Sequence, residues 1–331
     1  MKRVVFDVLK FLIPLLLMVC VMELAIFYRH NDIFSEKKLD KVFKGIESEY
    51  LWAINIKHKN KVLLIGSSTI LYGIDCAKLT QLSNDSLLFL NFGMVGRDPV
   101  EMYFVLKNSN LNDVRSVCVG IDSWFYLKSY YGTRNSYMCL DYTFENMLKC
   151  SMFYDKSILY KRYKQFIKYV CNKSFTLYNV HKGIPPNNGS LKIELKPMSF
   201  NVPITNLNNF GFNVNKWANI QFLYLKKIDS LLEHNGIQAY YIITPKRTDY
   251  TATYIKTCGE FHKEFENRLM KLHLKGTFFG TMNTIPDSIN QRCFADGVHL
   301  NSFGQEVYTK IFFQLFNGKK QKFSSSYHLT N

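Results

Sequence analysis

Short apolar runs rich in β-branched and aromatic residues recur along the chain and end near glycine, proline or polar residues. This pattern is typical of buried parallel strands. We predict five of them, at Lys61–Gly66, Ser86–Gly93, Ser116–Asp122, Ile237–Thr244 and Thr277–Gly280. Segments with helical spacing of apolar residues lie between or after them, at Pro99–Lys107, Trp217–His234, Tyr254–Leu274 and Ser302–Phe316. Strands that alternate with helices predict right-handed βαβ units, so the fold class is α/β with a parallel sheet.

The alternation lapses between residues 125 and 216, a tract rich in Tyr, Asn and Lys. We interpret it as a large insertion in the α/β domain. Within it, Lys156–Tyr169 is predicted to be a basic helix and Pro185–Gly189 a loop. The globular domain is therefore predicted to span residues 61–318, with a flexible polar tail at 319–331.

The N-terminal segment is strongly apolar. Phe11–Tyr28 contains a single charged residue, Glu23. Its length suits one membrane-spanning helix, and because no small-residue cleavage site follows, an uncleaved anchor is favoured over a signal peptide. A buried core helix is the alternative. We predict an anchor at residues 1–30, with the membrane contact at 4–28, and a charged linker at 31–60. The flanking lysines and arginines leave the orientation open.

The chain is basic, with a formal net charge of +16. More than half of the surplus lies in the insertion, where 13 Lys and Arg face 4 Asp and Glu. No zinc-finger spacing or RNA-binding motif accompanies it, so nucleic-acid binding is disfavoured, and attraction to an anionic polymer or a membrane surface is favoured. The eight cysteines include no CxxC pair, which argues against a zinc ribbon or a thioredoxin-like site. We expect no metal and no cofactor.

Four polar motifs carry the candidate chemistry, and three of them follow predicted strands, where open α/β sheets build their sites. Gly66-Ser67-Ser68 ends the first strand. A serine at this turn either exposes a nucleophile near backbone N–H groups or merely caps the next helix. Two further motifs, ending at Gly96 and containing Asp122, follow the second and third strands; each alone is an ordinary turn or cap.

The fourth motif, Asp296-Gly-Val-His299-Leu-Asn301, precedes the last predicted helix. A carboxylate three residues before a histidine is able to turn back and accept the imidazole Nδ1–H. That contact fixes the tautomer in which Nε2 faces a nucleophile. A surface histidine is the alternative, but the clustering of Asp, His, Asn and Gly304 in one loop disfavours it.

The order of these motifs resembles the SGNH/GDSL hydrolase superfamily. The resemblance covers roughly residues 61–124 and 237–316 and implies a flavodoxin-like three-layer α/β sandwich. It places the nucleophile at Ser68, the histidine at His299 and its orienting aspartate at Asp296. Ser68 and Gly96 would donate backbone N–H groups to the oxyanion, and either Ile121 or Asp122 would take the third-block position.

Two departures from the family pattern are informative. The third block normally supplies an asparagine amide, but here it reads Gly-Ile-Asp122, and an ionised aspartate only accepts hydrogen bonds. The first block reads Gly-Ser-Ser rather than Gly-Asp-Ser. Both resemble the anchored branch that acts in teichoic-acid D-alanylation and alginate O-acetylation, whose catalytic domains lie outside the cytoplasmic membrane.

The resemblance implies serine-dependent acyl-ester hydrolysis or O-acyl transfer, most simply of an acetyl group, on a cell-surface polysaccharide. The expected partners are a cell-surface glycan or other acylated polymer and a membrane acyltransferase that delivers the acyl group. The globular domain is then expected outside the cytoplasm. A catalytically inactive polysaccharide-binding or assembly subunit is the alternative function.

Overall fold

A computed structural model describes residues 2–28, 60–107, 109, 111–126, 163, 164, 167, 186–190 and 217–318. The chain divides into two compact units: Met1–Ser48 with Asn135–Asn179, and Glu49–Arg134 with Val180–Asn331. In the first unit, helix α1 covers Lys2–Tyr28 and contains Pro14. No helix within the described residues is both long enough and apolar enough to cross a membrane.

The second unit is built on an open sheet of five parallel strands in the order β2-β1-β3-β4-β5. The strands are β1 (Lys61–Gly66), β2 (Leu88–Gly93), β3 (Val114–Gly120), β4 (Gln238–Ile242) and β5 (Thr277–Phe279). Every residue of β1 and β2 is buried, because both faces of the sheet are covered. The carboxyl ends of all five strands therefore meet at one edge of the sheet.

Helices flank the sheet. In chain order they are α2 (Ser68–Leu71), α3 (Cys76–Leu82), α4 (Pro99–Lys107), α5 (Asn219–His234), α6 (Thr248–Lys271), α7 (Asp287–Asn290) and α8 (Ser302–Asn317). Short 3₁₀ turns lie at Ser123–Tyr126, Pro186–Gly189 and Gln291–Cys293.

Alternate residues of β1 enter two separate hydrophobic cores. Leu63 and Ile65 pack in one core with residues of α4, α5 and α6. Val62 and Leu64 pack in the other with residues of α2, α3 and α8. Side chains alternate between the faces of a strand, so the arrangement is helix layer, sheet and helix layer.

The predicted α/β class and the parallel sheet are confirmed. Strand β1 and helix α4 have the predicted bounds, and the other strands agree within one to two residues at most ends. Helix α6 begins at Thr248, six positions before the predicted start at Tyr254. The predicted loop at residues 185–189 contains a 3₁₀ turn at Pro186–Gly189. The linker, the tail and the rest of the insertion lie largely outside the described residues, so those predictions stay predictions.

Candidate active site

The turn after β1 uses its two serines differently. Ser67 is the N-cap of α2, since its hydroxyl accepts a hydrogen bond from the N–H of Thr69 at 3.2 Å. Ser67 is buried, whereas Ser68 is partly exposed. The capping role and the candidate nucleophile therefore fall on adjacent residues, and the hydroxyl of Ser68 is left available for chemistry.

The loop that carries His299 is closed by contacts at its base. Phe294 and Leu300 form an antiparallel bridge, and the N–H of Ala295 donates to the carbonyl of His299 at 2.8 Å. Asn301 then caps α8, because its side chain accepts from the N–H of Gly304 at 2.9 Å. These contacts fix the backbone of the loop that carries His299 immediately before the helix.

The structure brings Ser68, His299 and Asp296 together, although Ser68 and His299 are 231 positions apart in the chain. The Ser68 hydroxyl lies 2.8 Å from His299 Nε2, and His299 Nδ1 lies 2.7 Å from Asp296 Oδ2. The other oxygen of Asp296, Oδ1, accepts backbone N–H groups of Val298 and His299, each at 2.7 Å. This is the connectivity of a serine–histidine–aspartate triad.

The ionisation state of Asp296 sets the tautomer of His299. Burial alone would raise the pKa of Asp296, but hydrogen bonds from the His299 ring and from two backbone N–H groups lower it below its usual range. An ionised carboxylate only accepts hydrogen bonds, so Nδ1 carries the proton. His299 Nε2 is then free to accept the proton of the Ser68 hydroxyl.

Two backbone N–H groups near Ser68 are unpaired. Within the residues that the structure describes, neither the N–H of Ser68 nor that of Gly96 has a hydrogen-bond acceptor. The turn that contains Gly96 is tied to the nucleophile turn, since the N–H of Met94 donates to the carbonyl of Gly66 at 3.0 Å. Gly96 has φ of 72°, a conformation that favours glycine. Among the described residues, neither N–H group is thus committed to another acceptor.

Asp122, which we expected in the oxyanion group, is engaged inside the protein. Its Oδ2 accepts the hydroxyls of Ser67 and, at 2.9 Å, Thr69, while its Oδ1 accepts Lys246 Nζ at 3.0 Å. Burial would raise the pKa of Asp122, but the Lys246 charge and these hydrogen bonds lower it below its usual range. Asp122 is therefore a buried carboxylate that supplies no donor to an oxyanion.

Three other side chains shape the site and had no role assigned from the sequence. Lys246 pairs with Asp122. The amide of buried Asn91 donates to the carbonyl of Ile70 at 3.0 Å and thereby holds helix α2. The ring of Tyr72 packs edge-on against His299, with 5.9 Å between ring centroids. Lys246 has one sequence signal, because it follows the end of a predicted strand.

A cavity adjoins the Asp122–Lys246 pair. Its remaining walls are mainly aromatic and apolar, formed by Ile121, Ser123, Trp124, Ile243, Tyr250, Tyr254, His262, Phe265, Glu266, Leu269 and Met282. Neither Ser68 nor His299 lines it. The apolar walls keep the surroundings of the ion pair poorly polarisable, which strengthens electrostatic interactions there.

No protein-family model matches this chain, and no curated protein is significantly similar to it. The assignment of roles at the site thus depends on the geometry of its residues.

Proposed function

We propose that this protein is a serine-dependent acyl-ester hydrolase or O-acyltransferase. The observation that carries the proposal is the continuous chain of hydrogen bonds from Ser68 through His299 to Asp296. These residues come from two distant parts of the sequence and meet at the carboxyl edge of a parallel sheet, where α/β proteins commonly place their sites.

In the proposed mechanism, Ser68 Oγ attacks the carbonyl carbon of an acyl ester while His299 Nε2 takes the hydroxyl proton. Asp296 stabilises the imidazolium that forms. The tetrahedral intermediate collapses, the C–O bond to the leaving alcohol breaks, and His299 returns the proton to that alcohol. Water or a sugar hydroxyl then attacks the acyl-serine, with His299 again taking and returning a proton. Water gives hydrolysis and a sugar hydroxyl gives transfer.

The unpaired N–H groups of Ser68 and Gly96 support this mechanism. Negative charge develops on the carbonyl oxygen when Ser68 attacks. Preorganised backbone donors stabilise such an oxyanion and commonly contribute a factor of about 10² to 10³ each in rate. We assign the oxyanion donors to Ser68 and Gly96.

The fold supports membership of the SGNH/GDSL superfamily. The strand order β2-β1-β3-β4-β5 is the flavodoxin-like order, and helices cover both faces of the sheet. Three of the four motifs lie at the carboxyl ends of β1, β2 and β3, and the fourth lies directly before α8, in the order that the resemblance implies. We therefore propose a flavodoxin-like sandwich of the SGNH type.

The substrate and location are proposals that depend on the resemblance. We propose that residues 4–28 anchor the chain in a membrane and that the globular domain lies outside the cytoplasm. A cell-surface polysaccharide would carry the acyl group, and a membrane acyltransferase would deliver it. The basic composition of residues 125–216 is consistent with attraction to an anionic polymer.

Hydrolysis of p-nitrophenyl acetate by the full chain tests the proposal. We expect turnover that is lost in Ser68→Ala and in His299→Ala but kept in Ser86→Ala, a control that removes an exposed serine hydroxyl. Equal turnover by the wild type and Ser68→Ala would remove Ser68 from the chemistry.

A second function, a polysaccharide-binding or assembly subunit without catalysis, is favoured by one observation. Ile121 or Asp122 stands where the related enzymes carry an amide donor, neither side chain is able to donate in this way, and losing such a donor costs about a hundredfold or more in rate. Binding of an anionic glycan without any Ser68-dependent turnover would support this alternative.

A further inference from the structure

A buried ion pair lies at the same sheet edge as the candidate triad. Asp122 follows β3 and Lys246 follows the neighbouring strand β4. The two charged groups are 3.0 Å apart, and their side chains are only 3% and 6% exposed. Removing two charges from water is costly, so a pair at this position calls for a reason beyond stability.

The carboxylate of the pair reaches both neighbours of the candidate nucleophile. Asp122 Oδ2 accepts hydrogen bonds from Ser67 and Thr69, the residues on either side of Ser68. The hydroxyls of Ser67 and Thr69 also contact each other at 3.0 Å. A full negative charge is thus fixed beside the backbone of Ser68. The charge of Asp122 also acts on Tyr126, whose pKa is raised by burial and by that charge.

Lys246 is held in place by its backbone. Its N–H donates to the carbonyl of Met282 at 2.9 Å, and its carbonyl accepts from the side chain of Asn290 at 3.1 Å. Its ammonium donates to Asp122 and, at 3.3 Å, to Thr244. The ammonium group is therefore held in position before any substrate binds. Such preorganisation lets a charge act during a reaction without first having to be reoriented.

The developing oxyanion at the N–H of Ser68 and an uncompensated Asp122 would carry the same sign of charge. Like charges at close range in poorly polarisable surroundings repel strongly and would raise the barrier to attack by Ser68. An ionised carboxylate also has no hydrogen to donate to the oxyanion. Asp122 is compatible with this chemistry only where a cation cancels its charge.

We propose that Lys246 is a positioning residue that neutralises Asp122, so that Asp122 holds the nucleophile turn through Ser67 and Thr69 without repelling the oxyanion. This inference rests on the proposed function of Ser68. It predicts that the site requires a pair with no net charge rather than a lysine as such.

Kinetics with p-nitrophenyl acetate on the full chain, using folded variants, test the proposal. Lys246→Met keeps the length of the side chain but leaves Asp122 uncompensated, and we expect kcat to fall by about tenfold or more with KM nearly unchanged. In the double variant Asp122→Asn with Lys246→Met, the pair is neutral again and the Asn oxygen is still able to accept from Ser67 and Thr69. We expect its kcat to return to within about threefold of wild type.

A matched control removes a different buried hydrogen bond. Tyr241→Phe breaks the 2.8 Å contact from the Tyr241 hydroxyl to Asp229, and we expect kcat to stay unchanged. Thermal unfolding of each variant establishes that it is folded. If Lys246→Met does not fold, Lys246→Gln takes its place, because glutamine is able to keep a hydrogen bond to Asp122 while the positive charge is still removed.

The outcomes separate this inference from the proposed function. Turnover that survives in Ser68→Ala overturns the proposed function and the inference together. Turnover that depends on Ser68 but is unchanged in Lys246→Met overturns the inference alone. A folded double variant that stays far below wild type also overturns it, because lost packing rather than lost charge would then explain the effect.

Discussion

Asp296→Asn separates the orienting role of Asp296 from its role in holding the loop. The two carboxylate oxygens of Asp296 have different partners. Oδ1 accepts hydrogen bonds from the backbone N–H groups of Val298 and His299, and Oδ2 accepts one from the ring Nδ1–H of His299. An asparagine is able to keep the Oδ1 contacts. Its amide nitrogen then takes the Oδ2 position and donates to Nδ1.

The substitution therefore reverses the tautomer. When Nδ1 accepts, Nε2 of His299 carries the proton and no longer accepts one from Ser68. A triad with the wrong tautomer loses about 10⁴ in kcat, or about 5 kcal/mol in the barrier. Because both backbone contacts are kept, we expect the unfolding free energy to fall by only about 1.5–3 kcal/mol, the usual value of one charge-assisted hydrogen bond.

Steady-state turnover of p-nitrophenyl acetate and urea unfolding measure the two effects. Asp75→Asn is the matched control, since Asp75 caps α3 by accepting from the N–H of Lys78 at 3.0 Å and asparagine caps equally well. An Asp296→Asn variant that keeps more than about a tenth of the wild-type kcat, while Ser68→Ala is inactive, would show that Asp296 does not set the tautomer of His299.

Three further changes have expected outcomes. Asp122→Asn leaves the buried Lys246 charge without a partner, so urea unfolding at pH 7 should show a loss of about 3–5 kcal/mol in the free energy of unfolding. Because folding lowers the pKa of Asp122, its contribution to stability is present above about pH 4 and is lost as the pH falls below that value. The free energy of unfolding of the variant should therefore depend less steeply on pH in acid than that of the wild type. Gly304→Ala places a Cβ 1.9 Å from a main-chain oxygen and should cost about 1–3 kcal/mol or more in thermal unfolding, whereas Gly259→Ala, with open space around its Cβ, should not destabilise. Tyr72→Leu removes the ring that packs against the imidazole of His299 and should lower kcat about twofold to tenfold. An unchanged kcat would show that this ring contact does not contribute to catalysis.

The sheet was predictable because its signal is local. Short apolar β-branched runs bounded by turn residues specify buried strands, and β1 matches its prediction at both ends. The start of α6 was missed because residues 248–253 are mainly polar and include three threonines, which are weak helix formers, so the predicted apolar spacing began only at Tyr254. Helix ends depend on caps and tertiary contacts more than on periodicity.

The meeting of Ser68, His299 and Asp296 was expected from the order of motifs on a parallel sheet, and the described geometry brings the three side chains together. The environment of Asp122 was not predictable in the same way. Its partner Lys246 is 124 positions away, and a lone lysine after a strand carries no pattern that distinguishes it from a solvated one. The pairing of Asp122 with Lys246 is recognisable only once β3 and β4 are known to be neighbouring strands.

Reaction of the full chain with a fluorophosphonate probe, followed by peptide mass spectrometry, shows directly whether Ser68 is the nucleophile. We expect one probe adduct per chain, located on Ser68 and absent from Ser68→Ala and His299→Ala. An unlabelled wild type, or an adduct that persists on another residue in Ser68→Ala, would contradict this expectation.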